Sequence, residues 1–244
     1  MPHQSDPAYG QYSRMFISDV PAGPAGAVPR PELLRFAEEA IYIYSFAESR
    51  MVYANGWKEV LGYEDAEVSL IQLVNATTPE FAPFSNDLND KAIQFLHSKS
   101  ENLEQYSFSI ELKKFHKLGH TVPLLWRVGV YKTMGGKVVE VIGRAQVNHA
   151  LKFGKVMKYA TYGPADKVEF EEELNKILFQ HPAVSEREKE ALALASQGYS
   201  FKEIAALLNI SESAVEKRIR PMYKRFDCKS LSHLVKFGIE NGII

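Results

Sequence analysis

The hydrophobic pattern of this chain changes its period partway along, and this change constrains the possible folds more than any other feature. Three segments between residues 106 and 147 alternate apolar and polar residues, which is the period of a strand with one buried face. Beyond residue 185 the apolar residues recur every three or four positions, which is the period of an amphipathic helix. The sequence therefore predicts an antiparallel sheet followed by an all-α domain.

The predicted sheet has five strands. Two runs rich in β-branched and aromatic residues, 41–46 and 51–54, predict a hairpin, and an apolar stripe over 86–97 predicts a later helix. The alternating segments supply three more strands, whose inward residues are Tyr106, Phe108, Ile110 and Leu112; Val122, Leu124, Trp126, Val128 and Val130; and Val139, Val141, Gly143, Ala145 and Val147. Helices combined with an antiparallel sheet make an α+β domain.

The segments that flank the sheet are predicted to connect domains. Residues 1–30 hold five prolines and three glycines, which predicts a flexible N-terminal arm. Pro31 suits the first turn of a helix over 31–40, and residues 169–179 predict a connector helix. The predicted domains are the arm at 1–30, the sheet domain at 31–148, a connector at 149–182 and a helical domain at 183–244.

Composition narrows the class of protein. The chain is 45% hydrophobic and 24% charged with a net charge of -1, as in ordinary globular proteins. Its one cysteine, Cys228, excludes an intramolecular disulfide and a Cys-rich zinc site. We find no signal sequence or spanning apolar stretch, which predicts a cytoplasmic protein without a membrane partner. No residues at catalytic or metal-ligand spacing indicate an enzyme or a metal site.

Start and stop signals divide the helical domain into four helices. Glu188 stands at the spacing of a capping box in the first helix, which Gly198 ends. A tight turn at Asn209 separates the second helix from the third, and a fourth runs to Glu240. The predicted N-caps are Ser185, Ser200 and Ser211, and the fourth helix is expected to begin at about Ser230.

Apolar residues of the third helix fall at positions i, i+4, i+7 and i+11, which makes one continuous stripe. We expect this stripe to pack against the first two helices. The predicted core residues are Leu192, Ile204, Ala205, Leu208, Val215, Ile219, Met222 and Phe226.

Basic charge is concentrated on the same helix. From residue 184 onward ten Lys and Arg stand against eight Asp and Glu, a balance of +2. Between Ser211 and Lys229 six basic residues stand against three acidic ones. A short helix, a tight turn and a second helix with a basic outer face is the arrangement with which one helix enters the DNA major groove.

The domain resembles the LuxR-type helix-turn-helix in order and spacing. The matching stretches are Val184-Ser-Glu-Arg-Glu-Lys-Glu-Ala-Leu192, Gly198-Tyr-Ser-Phe-Lys-Glu-Ile-Ala205, Leu208-Asn-Ile-Ser211, Ala214-Val215 and Asn241-Gly-Ile-Ile244. The resemblance implies base-facing positions at Ser213, Glu216, Lys217 and Arg220. It also implies phosphate contacts at Lys202, Ser211, Arg218, Lys224 and Lys229. The chemistry agrees for the basic residues, because Arg and Lys pair with guanine or neutralise phosphate.

Two departures from this family's pattern bear on the base contacts. The usual Thr-Val-Lys-x-His is Ala-Val-Glu-Lys-Arg at 214–218, which changes the expected sequence preference. Glu216 can accept from a cytosine amine, but it also repels the DNA backbone. Pro221 lies inside the third helix, where it removes the hydrogen bond to the carbonyl of Lys217 and can kink the helix.

The sheet domain resembles a PAS domain in its order of elements and in a short motif, Val52-Tyr-Ala-Asn55, then Trp57 and Val60-Leu-Gly-Tyr63-Glu-Asp-Ala-Glu67. The resemblance implies a small-molecule site between sheet and helices, or a dimer contact. The cofactor is unknown and none is required. His97 is the candidate axial ligand if the group is haem, and the alternative is an ordinary capping or surface role. Trp126 and the other strand aromatics either line a pocket or form plain core.

Together these features predict a DNA-binding transcription regulator. Its PAS-like domain senses a signal or mediates dimerisation, with a small molecule or a protein as partner. Its helix-turn-helix binds double-stranded DNA as a homodimer, because one such module covers a half-site. The alternative hypothesis is a protein-interaction module in which Glu216 and Pro221 have weakened or abolished DNA binding.

Overall fold

The chain forms two compact units. A computed structural model describes residues 11–23, 33–151, 153, 156–164, 171–172 and 183–244. The sheet unit comprises Met1–Leu151 with Thr161–Ile177, and the helical unit comprises Lys152–Ala160 with Leu178–Ile244. Among the described residues, no helix combines the length and apolar character needed to cross a membrane.

The sheet unit contains the five predicted antiparallel strands. They are β1 Glu39–Ser45, β2 Arg50–Asn55, β3 Ser107–Phe115, β4 Thr121–Met134 and β5 Lys137–Val147. Their order across the sheet is β2-β1-β5-β4-β3, and all neighbours in this order pair antiparallel. Between β2 and β3 the chain forms α1 Trp57–Leu61, α2 Leu70–Asn75 and α3 Ala82–Ser98. This confirms the predicted PAS-like α+β fold.

The β4–β5 hairpin departs from simple strand periodicity. Gly135 and Gly136 close its turn with φ angles of 60° and 71°, a conformation that residues with a side chain rarely adopt. The strand register shifts at Lys132, and Val138 is buried while Val139 is only half-buried. The inward placement predicted for Val139 was wrong, because a bulge re-aims the side chains that follow it.

An aromatic cluster forms the centre of the sheet unit. The ring centroids of Trp57 and Trp126 are 5.5 Å apart, and Tyr42 lies 6.0 Å from Trp126. Gly143 pairs with Tyr42 between β5 and β1, and a Cβ at this position would lie 2.0 Å from the tyrosine ring. Glycine at this position therefore leaves the space that Tyr42 occupies in the cluster.

The helix predicted over 31–40 is wrong for the described part of that range. Residues 33–38 are not helical, and β1 begins at Glu39. The Glu39 carboxylate accepts from the Phe36 N–H at 3.0 Å and pairs with Arg144 at 3.0 Å. These tertiary contacts satisfy polar groups of the segment in a non-helical form, and they override its helical periodicity.

Part of the predicted N-terminal arm is docked on the sheet unit. Residues 11–23 include a 3-10 turn at Ser13–Met15 in which Ser13 is buried. The backbone N–H groups of Tyr12 and Ser13 donate to the Asp90 carboxylate of α3 at 3.2 and 2.7 Å. The other residues of the arm lie outside the described part of the chain.

The helical unit contains the four predicted helices, α4 Glu186–Ser196, α5 Phe201–Leu208, α6 Glu212–Arg225 and α7 Leu231–Glu240. The three predicted serines are N-caps, Ser230 is a fourth, and each accepts a backbone N–H three residues on. Glu188 completes the predicted capping box, and a second box joins Glu203 to Ser200. Such a cap typically stabilises a helix by about 1 kcal/mol. Asn209 ends α5 in the left-handed conformation.

Two short strands were not predicted. β6 Met157–Tyr162 and β7 Ala183–Ser185 pair in parallel, with Met157 opposite Ala183. The prediction of five strands therefore missed β6 and β7. Of the connector helix predicted over 169–179, Glu171 and Glu172 are helical, and the remaining residues lie outside the described part.

Candidate nucleic-acid interface and interior cavity

The core of the helix-turn-helix consists of the apolar residues that the helical spacing selects. Leu208 is half-buried and packs against the core. The fully buried members are Leu192, Ile204, Ala205, Val215, Ile219, Met222 and Phe226. Burying one large apolar side chain contributes about 1.5–3 kcal/mol, so this core sets the orientation of α6.

The opposite face of α6 is exposed and basic. Ser213, Lys217, Arg220 and Lys224 are all exposed and share the i, i+4, i+7, i+11 spacing. This row is displaced by two residues from the buried stripe, which is a rotation of about 200° around the helix axis. Three predicted base-facing residues and one predicted phosphate contact therefore form one surface, the α6 basic row, directed away from the core.

Glu216 lies beside this row and engages one of its cations. Its Oε1 is 2.9 Å from Arg220 Nη2, and this contact raises the pKa of Arg220. Exposed pairs of this kind contribute little to stability. The predicted base contact of Arg220 would require this side chain to exchange Glu216 for a base edge.

The remaining predicted phosphate contacts are spread around the module. Lys202 is exposed in the first turn of α5, and Lys229 is exposed after α6. Ser211 is the N-cap of α6, and its Oγ accepts from the Ala214 N–H at 3.2 Å. A hydroxyl that accepts here still has its own proton to donate.

Arg218 is held within the helical unit. Its Nη1 is 3.3 Å from Glu190 Oε2 and 3.4 Å from the carbonyl oxygen of Arg187, both on α4. The side chain is only 18% exposed. The residue predicted to contact phosphate is thus ion-paired to another helix. The outward acidic residue Glu190 was the signal that could have indicated this pairing.

α6 continues through Pro221. The helix is unbroken from Glu212 to Arg225, although proline has no N–H for the carbonyl of Lys217. The missing bond affects the carbonyl of Lys217 in the second turn of α6. The first turn, which carries Ser213, lies outside the span of that bond.

A buried ion pair anchors the C-terminal end of α6. Arg225 Nη2 and Nη1 lie 3.0 Å from Glu188 Oε1 and Oε2, and the two side chains are 3% and 6% exposed. Arg225 also donates to the carbonyl of Ala183 at 2.8 Å, and Glu188 accepts from the Ser185 N–H at 2.9 Å. Glu188 was predicted only as a member of the capping box at the start of α4. Its carboxylate also ties α6 to the start of α4.

The sheet unit encloses a small cavity between the sheet and helices α2 and α3. Its free volume is about 60 Å³, which is room for a few waters or a compact ligand. The lining residues are Ile17, Tyr42, Phe46, Leu70, Val74, Ser85, Asn89, Ala92, Ile93, Leu96, Phe108, Ile110, Leu112, Lys114, Trp126, Val128 and Val141. Trp126 is thus both core and cavity wall, which combines the two predicted alternatives.

Lys114 places a buried amine in the wall of this cavity. It is 2% exposed, and its Nζ donates to the carbonyl of Leu73 and to Thr77 Oγ1, both at 2.6 Å. The Nζ also lies 4.5 Å from the centre of the Trp126 ring. Burial lowers the pKa of Lys114 from 10.5 to about 7. The sequence contained a signal for this buried lysine, because position 114 follows Leu112 by two residues and so continues the inward-facing series of β3.

Tyr42 adds a hydroxyl to the same cavity. Burial raises the pKa of Tyr42, and a side-chain hydrogen bond with Trp126 partly opposes this effect. A tyrosine hydroxyl can both donate and accept a hydrogen bond. The mostly apolar lining therefore carries a few polar side chains, which are Tyr42, Ser85, Asn89 and Lys114.

His97 contacts aromatic residues at the end of α3. Its Nδ1 lies 3.0 Å from the Tyr12 hydroxyl, and its ring centroid is 4.8 Å from that of Phe16. Burial lowers the pKa of His97, which favours the neutral ring. These contacts support a packing role over the haem alternative. The described part of the chain holds no group of three or more His, Cys, Asp or Glu placed to share a metal ion.

We expect Glu188→Gln to lower the free energy of unfolding of the helical unit by about 3 kcal/mol or more, because the Arg225 guanidinium stays buried without its counter-charge. Urea denaturation of the full chain, followed by far-UV circular dichroism, measures this change. Glu190→Gln is the matched control on the same helix. It disrupts only the more exposed Arg218 pair and should cost less than about 1 kcal/mol. Equal effects of the two variants would contradict a buried anchor.

Lys114 predicts a pH-dependent stability of the sheet unit. As the pH falls from 10.5 to about 7, the unfolded lysine takes up its proton while the folded one stays neutral. The folded state therefore loses stability across this window, by about 5 kcal/mol in total, and the loss is constant below it. Urea denaturation of wild type and Lys114→Met, followed by tryptophan fluorescence, should show a difference that changes between pH 10 and 7. A flat difference would mean that the folded lysine is charged throughout.

Solved structures with a similar arrangement are distant. VqmA bound to DPO has a TM-score of 0.34 and 16% identity, covering 84% of this chain and 82% of that chain. The Vibrio cholerae VqmA dimer in the absence of target DNA gives 0.33 and 16%, over 84% and 83%. The blue-light photoreceptor Aureochrome1 LOV gives 0.38 and 20%, over 47% and 84%. With TM-scores below 0.5, these likenesses carry no functional conclusion. No curated protein matches the sequence.

The family comparison is specific to the helical unit. Residues 182–237 match the model of the luxR family of bacterial regulatory proteins. The matched range spans α4, α5, α6 and most of α7, and it includes both the α6 basic row and the Glu188–Arg225 pair. The helical unit of this chain therefore carries a luxR-family regulatory domain.

Proposed function

We propose that this protein is a DNA-binding transcription regulator whose helical unit reads the major groove and whose sheet unit senses a small molecule. The observation that carries the DNA-binding part is the α6 basic row, which displays Lys217, Arg220 and Lys224 on the face opposite the core. The luxR-family match supports the same role.

The residues of the helical unit divide into contacting and positioning groups. In this proposal Ser213, Lys217 and Arg220 meet base edges, and Lys224 meets phosphate, because they occupy one exposed face of a helix able to enter the groove. Lys202, Lys229 and the Ser211 hydroxyl meet phosphates on either side. Arg218 is a positioning residue, because its guanidinium is committed to α4.

Binding as a homodimer follows from the size of the module. One helix-turn-helix covers a half-site, and two copies related by a twofold axis read a palindromic site. We therefore expect two chains for each bound duplex.

One observation favours the alternative of a protein-interaction module. The Glu216–Arg220 pair reduces the charge of the basic row, and non-specific DNA affinity depends on charge. If this pair dominates, the α6 surface docks a protein partner and not DNA.

Charge reversal of the basic row separates these two functions. Lys217→Glu with Arg220→Glu should weaken binding to duplexes selected from a genomic library by at least about 100-fold, since each specific base contact is worth about 1–3 kcal/mol. Fluorescence anisotropy at several salt concentrations measures the loss of affinity and the smaller salt dependence.

The matched control is Lys58→Glu with Lys236→Glu, which makes the same change in net charge at two exposed lysines outside the row. We expect this control to keep affinity within a few-fold of wild type, because its charges do not meet the duplex. If no genomic duplex is enriched over background at low salt, or if both double variants bind alike, the DNA-binding function is wrong.

The sensing role rests on the cavity and on the polar side chains in its apolar lining, among them Tyr42 and Lys114. A compact, mostly apolar molecule with a few hydrogen-bonding groups fits such a site. Mass spectra of the purified chain under native and denaturing conditions should differ by the mass of a bound small molecule, and Lys114→Met should reduce its occupancy. Identical masses, together with no thermal shift on adding cell metabolites, would oppose the sensing role.

A further inference from the structure

Residues 11–23 contribute one lining residue, Ile17, to the cavity of the sheet unit. The other walls come from the sheet and from helices α2 and α3, whose backbones are fixed by regular hydrogen bonding. We propose that residues 11–23 are a releasable strap that controls the access of small molecules to this cavity. The role of the strap in sensing rests on the proposed function of the sheet unit. Its opening and closing over the cavity do not depend on that function.

The first attachment of the strap is a single carboxylate on α3. Asp90 accepts the backbone N–H groups of Tyr12 and Ser13 at 3.2 and 2.7 Å, and it also accepts the Ser13 hydroxyl. The Tyr12 hydroxyl lies 3.0 Å from His97 Nδ1, and His97 is about two turns further along α3 than Asp90. Because α3 itself lines the cavity, this end of the strap is tied directly to a cavity wall.

The middle of the strap is held by Tyr44 of β1. The Tyr44 hydroxyl accepts the Ser18 N–H at 2.9 Å and donates to the carbonyl of Phe16 at 3.2 Å. These two contacts bracket Ile17, so Tyr44 fixes the part of the strap that lines the cavity.

The last part of the strap is held by residues of β2 and of the chain before α2. Arg50 donates to the carbonyl of Ala22 at 2.6 Å, and the Ala22 N–H donates to the carbonyl of Val68 at 3.1 Å. The Ser69 hydroxyl donates to Asp19. This end carries backbone pairing that the Asp90 end lacks, so we expect the strap to open from the Asp90 end.

The apolar side chains of the strap are only partly buried. Met15 is 66% exposed and Val20 is 45% exposed, while Phe16 and Ile17 are half-buried. Segments held by a few hydrogen bonds open at lower free energy than the packed core does. The strap can therefore leave the cavity while the sheet remains folded.

A reversible covalent link between Ser13 and Asp90 tests this inference. The variant is Ser13→Cys with Asp90→Cys in a Cys228→Ala background, which removes the one native cysteine. Oxidation closes the strap, and reduction leaves it without its carboxylate contacts. One protein thus provides both states, with the rest of the sequence unchanged.

The readout is quenching of tryptophan fluorescence by acrylamide, a small uncharged probe. The chain has two tryptophans; Trp126 lines the cavity, and Trp57 lies next to it in the aromatic cluster. We expect the reduced form to be quenched several-fold faster than the oxidised form. The Cys228→Ala parent, treated with the same oxidant and reductant, should not change. Equal quenching of the oxidised and reduced forms overturns the gating role.

Hydrogen exchange provides a second test that needs no disulfide. Asp90→Asn should speed amide exchange in peptides covering residues 11–19 by about tenfold, as expected for weakening one charge-assisted attachment, while peptides of β4 and β5 stay protected. Faster exchange together with unchanged quenching overturns the proposal, because the strap would then open without exposing the cavity. DNA binding is measured independently, so failure of the strap and failure of the regulator function remain distinguishable.

Discussion

The contact between Glu188 and Arg225 joins three parts of the helical unit at one buried point. The carboxylate caps α4, the guanidinium belongs to the last turn of α6, and the same guanidinium donates to the backbone of β7. Removing two such charges from water costs several kcal/mol each, and their mutual attraction repays this only when every hydrogen-bonding group is satisfied. The net contribution to stability is therefore small, but a misplaced α6 would lose the whole compensation. The pair selects one orientation of the helix that carries the basic row.

The sheet unit handles a buried charge differently. Lys114 has two neutral acceptors, Leu73 and Thr77, and the face of Trp126. Neutral partners repay less of the desolvation cost than a carboxylate does, and the lowered pKa of Lys114 expresses the difference. The helical unit thus uses its buried cation to fix geometry, while the sheet unit keeps an amine near its titration point beside a cavity.

Local signals in the sequence were sufficient for the elements and insufficient for the contacts between them. Serine caps and the apolar stripe predicted α4 to α7 because caps and helical faces are properties of neighbouring residues. The pairing of Arg218 with α4 depends on residues 28 positions apart, which no periodicity reports. The helix expected over 31–40 failed for a related reason, since Glu39 and Arg144 stabilise an extended approach to β1.

The candidate sites show the same division. The row of Ser213, Lys217, Arg220 and Lys224 could be read from spacing and family resemblance, because its members share one helix. For the cavity, the PAS resemblance indicated a site between sheet and helices, but spacing could not give its lining, because the walls combine the arm, two helices and the sheet. The sequence did contain one signal for the cavity, which is the charged residue Lys114 at an inward strand position. Functional sites tend to contain residues that break the alternating pattern in this way.

The placement of the basic row has a consequence for how such a protein diverges. Its four side chains are exposed on the face opposite the buried stripe of α6. In the proposed function, the residues that choose an operator are therefore separate from those that maintain the fold, and substitutions in the row would retarget the regulator at nearly constant stability. Under this proposal, duplicated copies of the gene diverge to distinct sets of promoters through changes in a few surface codons.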